Sequence, residues 1–239
     1  MTDQPEPSRW PDRPDPPRTD TEALTRIVLR PIASSLPLGF FAFGLGSVLL
    51  TSVELGWVPL AQSRPVFVLM LLFVVPLMLI AGIMAFLARD GGAATALLTL
   101  GFAWAGTALV MASGQPGQPS PALAVFLLTL SPFVLVLSAA AFGGKPLFGV
   151  LLLAGASRFA LVGSYNATGN TAVETAAGWL GVVLGGFALY GGLALLLEDT
   201  AQRTVLPLGR RSHARVSLEG GLRAQLTHAQ HEAGVRRQL

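Results

Sequence analysis

Long apolar runs separated by short polar connectors dominate the pattern of the chain from residue 37 onward. A helix that crosses the hydrocarbon core of a bilayer needs about 20 apolar residues. Six runs of that kind are present, at residues 37–58, 66–88, 93–112, 121–142, 147–164 and 176–197. Their connectors contain Gly, Pro and Asn, which favour turns. The pattern therefore predicts an all-α integral membrane protein with six transmembrane helices.

The two ends of the chain differ in composition from its middle. Residues 1–30 hold six prolines and eleven charges, too polar a mixture to offset the entropy lost on folding. We expect disorder up to about residue 20, then a short amphipathic helix on the membrane surface over residues 21–32. Residues 198–239 are basic and suit anionic lipid headgroups. The predicted organisation is an N-terminal tail at 1–30, a membrane domain at 31–197 and a C-terminal tail at 198–239.

Overall composition supports a protein whose main partner is the lipid bilayer. Only 12% of the 239 residues are charged, whereas a soluble domain has about a quarter, and the mean hydropathy is +0.60. The net charge of +3 does not indicate nucleic acid, because 12 of the 16 basic residues lie in the tails without interleaved aromatics. No nucleic-acid partner is expected.

Cysteine and histidine usage argues against metal and catalytic sites. The chain has no cysteine, which excludes disulfides and thiolate metal sites. Its three histidines, His213, His228 and His231, lie in the C-terminal tail without further ligands nearby. Familiar catalytic patterns are missing from the sequence. We expect no cofactor, no metal and no enzymatic activity.

Positive charges in the connectors predict the orientation in the cell (cytoplasmic) membrane. Arg89, Lys145 and both basic tails fall on one side of a six-helix arrangement. The opposite side has Arg64 and Glu174 and the uncharged connector at 114–121. Positive residues concentrate on the cytoplasmic side. Both termini of this multi-pass protein are therefore expected in the cytoplasm.

The start of the first span has features of an anion-binding helix N-terminus. With Ser34 or Ser35 as N-cap and Pro37 in the first turn, free backbone N–H groups point out of the helix. Such groups favour an anion, for example a carboxylate. Gly39 lets a solute or another helix approach the backbone closely, and helix packing alone is the alternative interpretation of this glycine.

Three blocks of sequence resemble the signature of the acetate uptake transporter family. The first consists of Pro37, Leu38, Gly39, Phe43, Gly44, Leu49 and Leu50, with Ser34, Ser35 and Leu36 in place of Asn-Pro-Ala. The others are residues 177–181 with Ala188 and Tyr190, and residues 203–209. The resemblance covers about residues 33–209 and identifies a divergent member. It implies a transporter or channel for a small carboxylate anion, acetate in the first place, assembled as a homo-oligomer, a hexamer in this family. Succinate as a second substrate and proton coupling stay open.

Departures from the family pattern affect the expected path. Members of the family are thought to narrow the substrate path with a phenylalanine, a tyrosine and a leucine. The matching positions here are Phe43, Leu100 and, with a slip of one residue in the alignment, Leu153. Met78 replaces a glutamine typical of the second helix. The lost polar groups motivate an alternative function, a membrane scaffold or sensor subunit that keeps the fold without transport.

Arg158 is the further candidate for binding the substrate. It lies inside the fifth apolar run, where an arginine costs about 2.5 to 3.5 kcal/mol on insertion scales. Its guanidinium suits a carboxylate through paired hydrogen bonds. The alternatives are that it extends to the outer surface of the membrane or pairs with Glu54 or Glu174. Either glutamate is a candidate proton acceptor or a plain interfacial carboxylate. The family does not usually carry an arginine at this position.

The sixth run carries a stripe of small residues. Its members recur at spacings of three and four: Gly178, Gly181, Gly185, Ala188 and Gly192. Small residues at these spacings let a neighbouring helix pack at close range. That neighbour is either another helix of the same chain or a second subunit.

Overall fold

A computed structural model describes residues 33–201 and 203–208 of the chain. In this part the chain forms six helices that are long and apolar enough to cross a membrane. They are α1 (Leu36–Glu54), α2 (Leu60–Leu87), α3 (Gly91–Ser113), α4 (Pro121–Phe142), α5 (Pro146–Thr168) and α6 (Thr171–Ala201). The predicted all-helical, multi-pass fold is confirmed, and the described residues contain no strand. The helix expected at 21–32 and most of both tails lie outside the described residues.

Local sequence signals mark the starts of α3 and α4 and the end of α5. The Asp90 carboxylate accepts a hydrogen bond from the Ala93 N–H at 3.1 Å at the start of α3. At the start of α4, the Ser120 hydroxyl oxygen accepts a hydrogen bond from the Leu123 N–H at 3.4 Å. Gly169, with φ of 70°, ends α5 in the left-handed conformation that glycine adopts without strain. These signals keep the connectors short.

The second span is less regular than the pattern predicted. It begins at Leu60, six residues before the predicted start, with a 3-10 turn. A π turn over Met70–Val74 then precedes a regular helix that begins at Val75. Pro76 lies in the first turn of that helix, where its missing N–H interrupts the hydrogen-bond ladder least. Pro132, by contrast, lies inside a continuous α4.

The six helices form a closed ring in which each packs against two neighbours. Going round the ring from α1, the order is α6, α5, α4, α3 and α2. Large apolar side chains cover the outer face of the ring, among them Leu72, Phe102, Val125, Phe133 and Val136. An apolar exterior around a packed interior is the arrangement expected in lipid.

The stripe of small residues on α6 packs against α1 of the same chain. A Cβ atom added at Gly44 would lie 3.0 Å from the Cβ of Ala188, and one added at Gly185 would lie 2.7 Å from Val48. Gly178 and Gly192 face Leu55 and Phe41 in the same way. The neighbour that the sequence left open is therefore α1.

An ion pair joins two connectors at one end of the ring. Lys145, in the α4–α5 connector, pairs with Asp90, which lies between α2 and α3. Asp90 also caps α3. The pair holds the start of α3 and the start of α5 at the same end of the molecule.

Candidate functional site

An internal cavity lies inside the ring, between α1, α3, α4 and α5. Its volume is about 10 Å³, close to the smallest space that holds one water molecule. It is lined by Phe43, Ser47, Leu50, Trp104, Thr107, Leu127, Gly155, Arg158, Phe159 and Val162. The cavity is too small for a carboxylic acid in this conformation.

Three of the residues that line the cavity carry a buried hydrogen-bond donor without a partner. Among the described residues, the Ser47 hydroxyl, the Trp104 indole Nε1 and the Arg158 Nε are buried without a hydrogen-bond partner. Each of these groups carries a hydrogen that it can donate. A buried polar group left unpaired costs about 1–3 kcal/mol. A wall with three such donors suits an acceptor-rich ligand such as a carboxylate.

Arg158 lies along the inner face of α1. The residue is 3% exposed. Its Nη1 donates to the Ser47 carbonyl oxygen at 3.1 Å. Its Nη2 donates to Thr51 Oγ1 at 3.1 Å and to Glu54 Oε2 at 2.5 Å. Because residues 47, 51 and 54 follow one another at helical spacing, one guanidinium contacts a single face of α1.

A glycine on α6 makes room for this guanidinium. A Cβ atom at Gly181 would lie 2.5 Å from the Arg158 Cζ. The Thr51 hydroxyl, which accepts from Arg158, itself donates to the Gly178 carbonyl at 3.2 Å. The arginine is thus enclosed by three helices. It does not extend to the surface, and of the two carboxylates that the sequence offered, Glu54 is the one it pairs with.

Glu54 completes the polar cluster at this end of the ring. Its side chain is 5% exposed. Oε2 accepts from Arg158, while Oε1 has no partner among the described residues. Glu174, at the start of α6, lies one helical turn before Gly178, where an added Cβ would be 3.3 Å from the Glu54 Cβ.

The predicted residues at the start of α1 lie apart from this cluster. The Ser35 hydroxyl donates to the Ala81 carbonyl oxygen at 2.7 Å and does not cap its own helix. Ser34 is exposed and Leu38 half-buried, whereas Pro37 is buried. Gly39 packs against Leu97, which would lie 2.5 Å from an added Cβ. Ser47 follows Ser35 by twelve residues, about 18 Å along the helix.

Two of the three residues predicted to narrow the path are buried, and one is not. Phe43 lines the cavity, and Leu100 is 1% exposed one turn before Trp104, without lining the cavity itself. Leu153 is 44% exposed on the outer face of α5. Its assignment to an internal constriction is therefore wrong for this chain. A helix turns by about 100° per residue, so the slip of one residue in the alignment moves the side chain to another face.

Trp104 also lines the cavity, and the sequence did not single it out. We call Phe43, Leu100 and Trp104 together the narrow region. Its ring and that of Phe43 meet edge to face, with centroids 5.9 Å apart and an interplanar angle of 60°. Gly46 of α1 lets the indole approach closely, since an added Cβ would lie 3.1 Å from its Cε2. The available signal was its spacing, one helical turn after Leu100 on the same face.

Comparison with known proteins identifies the family of this six-helix ring. A family model described as the GPR1/FUN34/yaaH family matches residues 19–209. The chain belongs to the GPR1/FUN34/yaaH family. The resemblance to acetate uptake transporters seen in the sequence is thereby confirmed.

Two similar proteins have names that describe their activity. The succinate-acetate/proton symporter SatP of Escherichia coli (strain K12) is 24% identical over 182 residues, which cover 74% of this chain and 96% of SatP. SatP of Shigella flexneri matches to the same extent.

A solved structure is similar to this chain over most of the six-helix ring. The structure of the bacterial acetate channel SatP superposes with a TM-score of 0.67 at 25% identity, over 74% of this chain and 99% of SatP. The relatives are described as a symporter and a channel, which fits the expectation of a non-enzymatic membrane protein.

Proposed function

We propose that this chain is a transporter or channel for a small monocarboxylate, with acetate as the first substrate, and that the route runs through the interior of the ring. The observation that carries the proposal is that three residues lining the cavity, Ser47, Trp104 and Arg158, each hold a buried donor without a hydrogen-bond partner. The substrates in the name of the curated relative, succinate and acetate, are both carboxylates. The protein works in the cytoplasmic membrane with both termini in the cytoplasm, and assembles as a homo-oligomer.

The chemistry of the lining matches the two ends of such a substrate. A carboxylate accepts hydrogen bonds from the Arg158 Nε, the Trp104 indole and the Ser47 hydroxyl, and bonds to a guanidinium are among the stronger ones. Apolar side chains supply the rest of the wall and suit a short alkyl end. These are Phe43, Leu50, Leu127, Phe159 and Val162.

Entry requires movement of the aromatic pair Phe43 and Trp104. The cavity of about 10 Å³ is smaller than a four-atom acid, and both aromatic residues line it. Opening of this pair is therefore the step that admits a substrate, and the pair favours small ones.

The start of α1 supplies a first contact for the anion. Ser34 and Ser35 precede the helix, Pro37 has no N–H to donate, and the N–H of Leu38 belongs to the unpaired first turn. The positive end of the helix dipole attracts an anion from the side of the N-terminal tail. Gly39 lets Leu97 of α3 pack closely against the start of α1 and so contributes to the position of this first contact.

Uptake of labelled acetate into liposomes tests the proposal. The purified full chain is compared with protein-free vesicles of the same lipid, which report the passive permeation of acetic acid. We expect saturable uptake above that background, reduced by unlabelled acetate. A folded protein that gives no uptake above background would contradict transport and favour the scaffold or sensor function.

A further inference from the structure

The geometry points to Glu54 as a built-in competitor of the substrate: its carboxylate holds Arg158 in the empty site, and a substrate carboxylate takes its place when Glu54 accepts a proton. This inference rests on the proposed function and deepens it. It names the residue that the anion must displace and predicts that binding of one anion takes up one proton.

The first argument is the position of the pair beside the cavity. Arg158 lines the cavity with an unpaired Nε, while its Nη2 is held by Glu54 Oε2 at 2.5 Å. Full use of the guanidinium by a substrate needs both Nε and Nη2, because a carboxylate binds the fork through two parallel hydrogen bonds. Of the two hydrogens on Nη2, one is donated to the Thr51 hydroxyl and the other to the Glu54 carboxylate. Glu54, the charged one of these two acceptors, must release its hydrogen before the substrate is bound on both nitrogens.

The second argument is the sum of the buried charges. The positive charge of Arg158 and the negative charge of Glu54 cancel one another. Arg158 is the one charged residue among those that line the cavity in the described part of the chain. A carboxylate that enters beside an intact pair would add an uncompensated negative charge at membrane depth, which is strongly unfavourable. A proton on Glu54 restores neutrality, and the arginine then pairs with the substrate.

The third argument is that Glu54 has an oxygen ready to take the proton. Oε1 is buried and has no hydrogen-bond partner among the described residues. A proton added there from the aqueous side nearest Glu54 forms one O–H bond, and the hydrogen bond from Arg158 to Oε2 is then given up to the substrate. When the substrate leaves, the proton returns to water and the pair forms again.

The surroundings of Glu54 limit which other groups could carry that proton. From α5, Arg158 and Tyr165 face this end of the ring, and α6 contributes Glu174. The α2 helix contributes the exposed Arg64, and α3 has no titratable residue. Glu174 is therefore the one other carboxylate at this end among the described residues, and it does not contact Arg158 directly.

Proton uptake on anion binding tests the inference without any transport measurement. The purified full chain in weakly buffered detergent solution is mixed with sodium acetate adjusted to the same pH, and a pH-indicator dye reports protons taken up. Binding is followed in parallel by the fluorescence of Trp104, in a background in which Trp10, Trp57 and Trp179 are replaced by Phe. We expect one proton per bound acetate in the wild type.

Variants assign the proton to its residue. Glu54→Gln is expected to bind acetate about tenfold more tightly, a coupling within the usual range between sites, and to take up no proton. Glu174→Gln is expected to take up protons as the wild type does. The matched control is Glu198→Gln, which removes a buried carboxylate at the opposite end of α6 and is expected to behave as the wild type.

Three results would overturn the inference. The first is binding of acetate to the wild type without proton uptake. The second is undiminished proton uptake in Glu54→Gln, and the third is proton uptake that is abolished in Glu174→Gln alone. The wild-type result decides the question even where Glu54→Gln does not fold. Failure of the proposed function is seen separately, as wild-type protein without saturable acetate flux in liposomes.

Discussion

The Arg158 guanidinium and the Glu54 carboxylate meet at 2.5 Å although the two residues are 104 positions apart in the chain. Both side chains are almost fully buried, with 4% and 5% of their surface exposed. The pair links α5 to the end of α1, while Gly181 of α6 leaves the space in which the guanidinium lies. The same arginine lines the internal cavity. Stability and the proposed binding of an anion therefore depend on one side chain.

Removing Arg158 should affect stability and transport in separable ways. Arg158→Leu leaves Glu54 buried without its partner, and breaking a buried ion pair typically costs about 3–5 kcal/mol. Arg158→Leu combined with Glu54→Leu removes both charges and should recover most of that stability. Thermal unfolding in detergent measures the first effect. Acetate uptake should be lost in the single and in the double variant, and a stable double variant with normal saturable uptake would show that Arg158 is structural only.

The apolar pattern predicted the number of spans because each run is long enough to cross a bilayer. It did not predict the early start of α2, since the turn at Leu60–Gln62 and the π turn at Met70–Val74 depend on packing and leave no periodic signal. Arg158 stood out because arginine is costly in lipid. Its partner was one of two glutamates, and only the fold distinguishes them.

Residues of the narrow region were less predictable than the spans. Phe43 was identified because it belongs to a family signature. Leu153 was misplaced, since a family alignment that slips by one residue changes the face of a helix. Trp104 lies outside the three signature blocks and its spacing from Leu100 was its one signal, while a buried tryptophan in a membrane helix is ordinarily core. Its unpaired Nε1 becomes informative only when the fold brings it beside Ser47 and Arg158.

The indole N–H of Trp104 should contribute to substrate binding. Trp104→Phe keeps an aromatic ring against Phe43 but removes the donor, and a hydrogen bond to a charged group contributes about 1.5–3 kcal/mol. We expect the apparent KM for acetate to rise by about tenfold or more. Trp179→Phe is the matched control because Trp179 is 59% exposed on the outside of the ring. Equal KM values for the two variants would exclude the indole from the site.

Gly181 should be needed for the position of Arg158. An alanine there places a methyl group against the Thr51 hydroxyl and 2.5 Å from the Arg158 Cζ, and overpacking of this kind costs about 1–3 kcal/mol. Gly186→Ala is the control on the same helix, because an added Cβ at Gly186 meets nothing within 4 Å. We expect Gly181→Ala to lower the Tm and the rate of acetate uptake, and Gly186→Ala to change neither. A Gly181→Ala variant with wild-type uptake would indicate that the exact position of the guanidinium does not matter.

Phe43 should set the size of the substrate that passes. Its ring meets Trp104 at 5.9 Å and lies opposite Gly155, where an added Cβ would be 3.7 Å from the ring. Phe43→Ala removes this wall and should raise the uptake of butyrate relative to acetate, because a longer alkyl chain then fits. It also costs about 3–5 kcal/mol of stability, as truncation of a buried phenylalanine does, so uptake is normalised to folded protein measured by size-exclusion chromatography. Leu153→Ala is the control, since Leu153 lies on the outer face at 44% exposure, and its ratio of butyrate to acetate uptake should stay at the wild-type value. The opposite result would contradict the prediction. If the ratio of butyrate to acetate uptake changed in Leu153→Ala and not in Phe43→Ala, the constriction would lie on the outer face of α5 and not inside the ring.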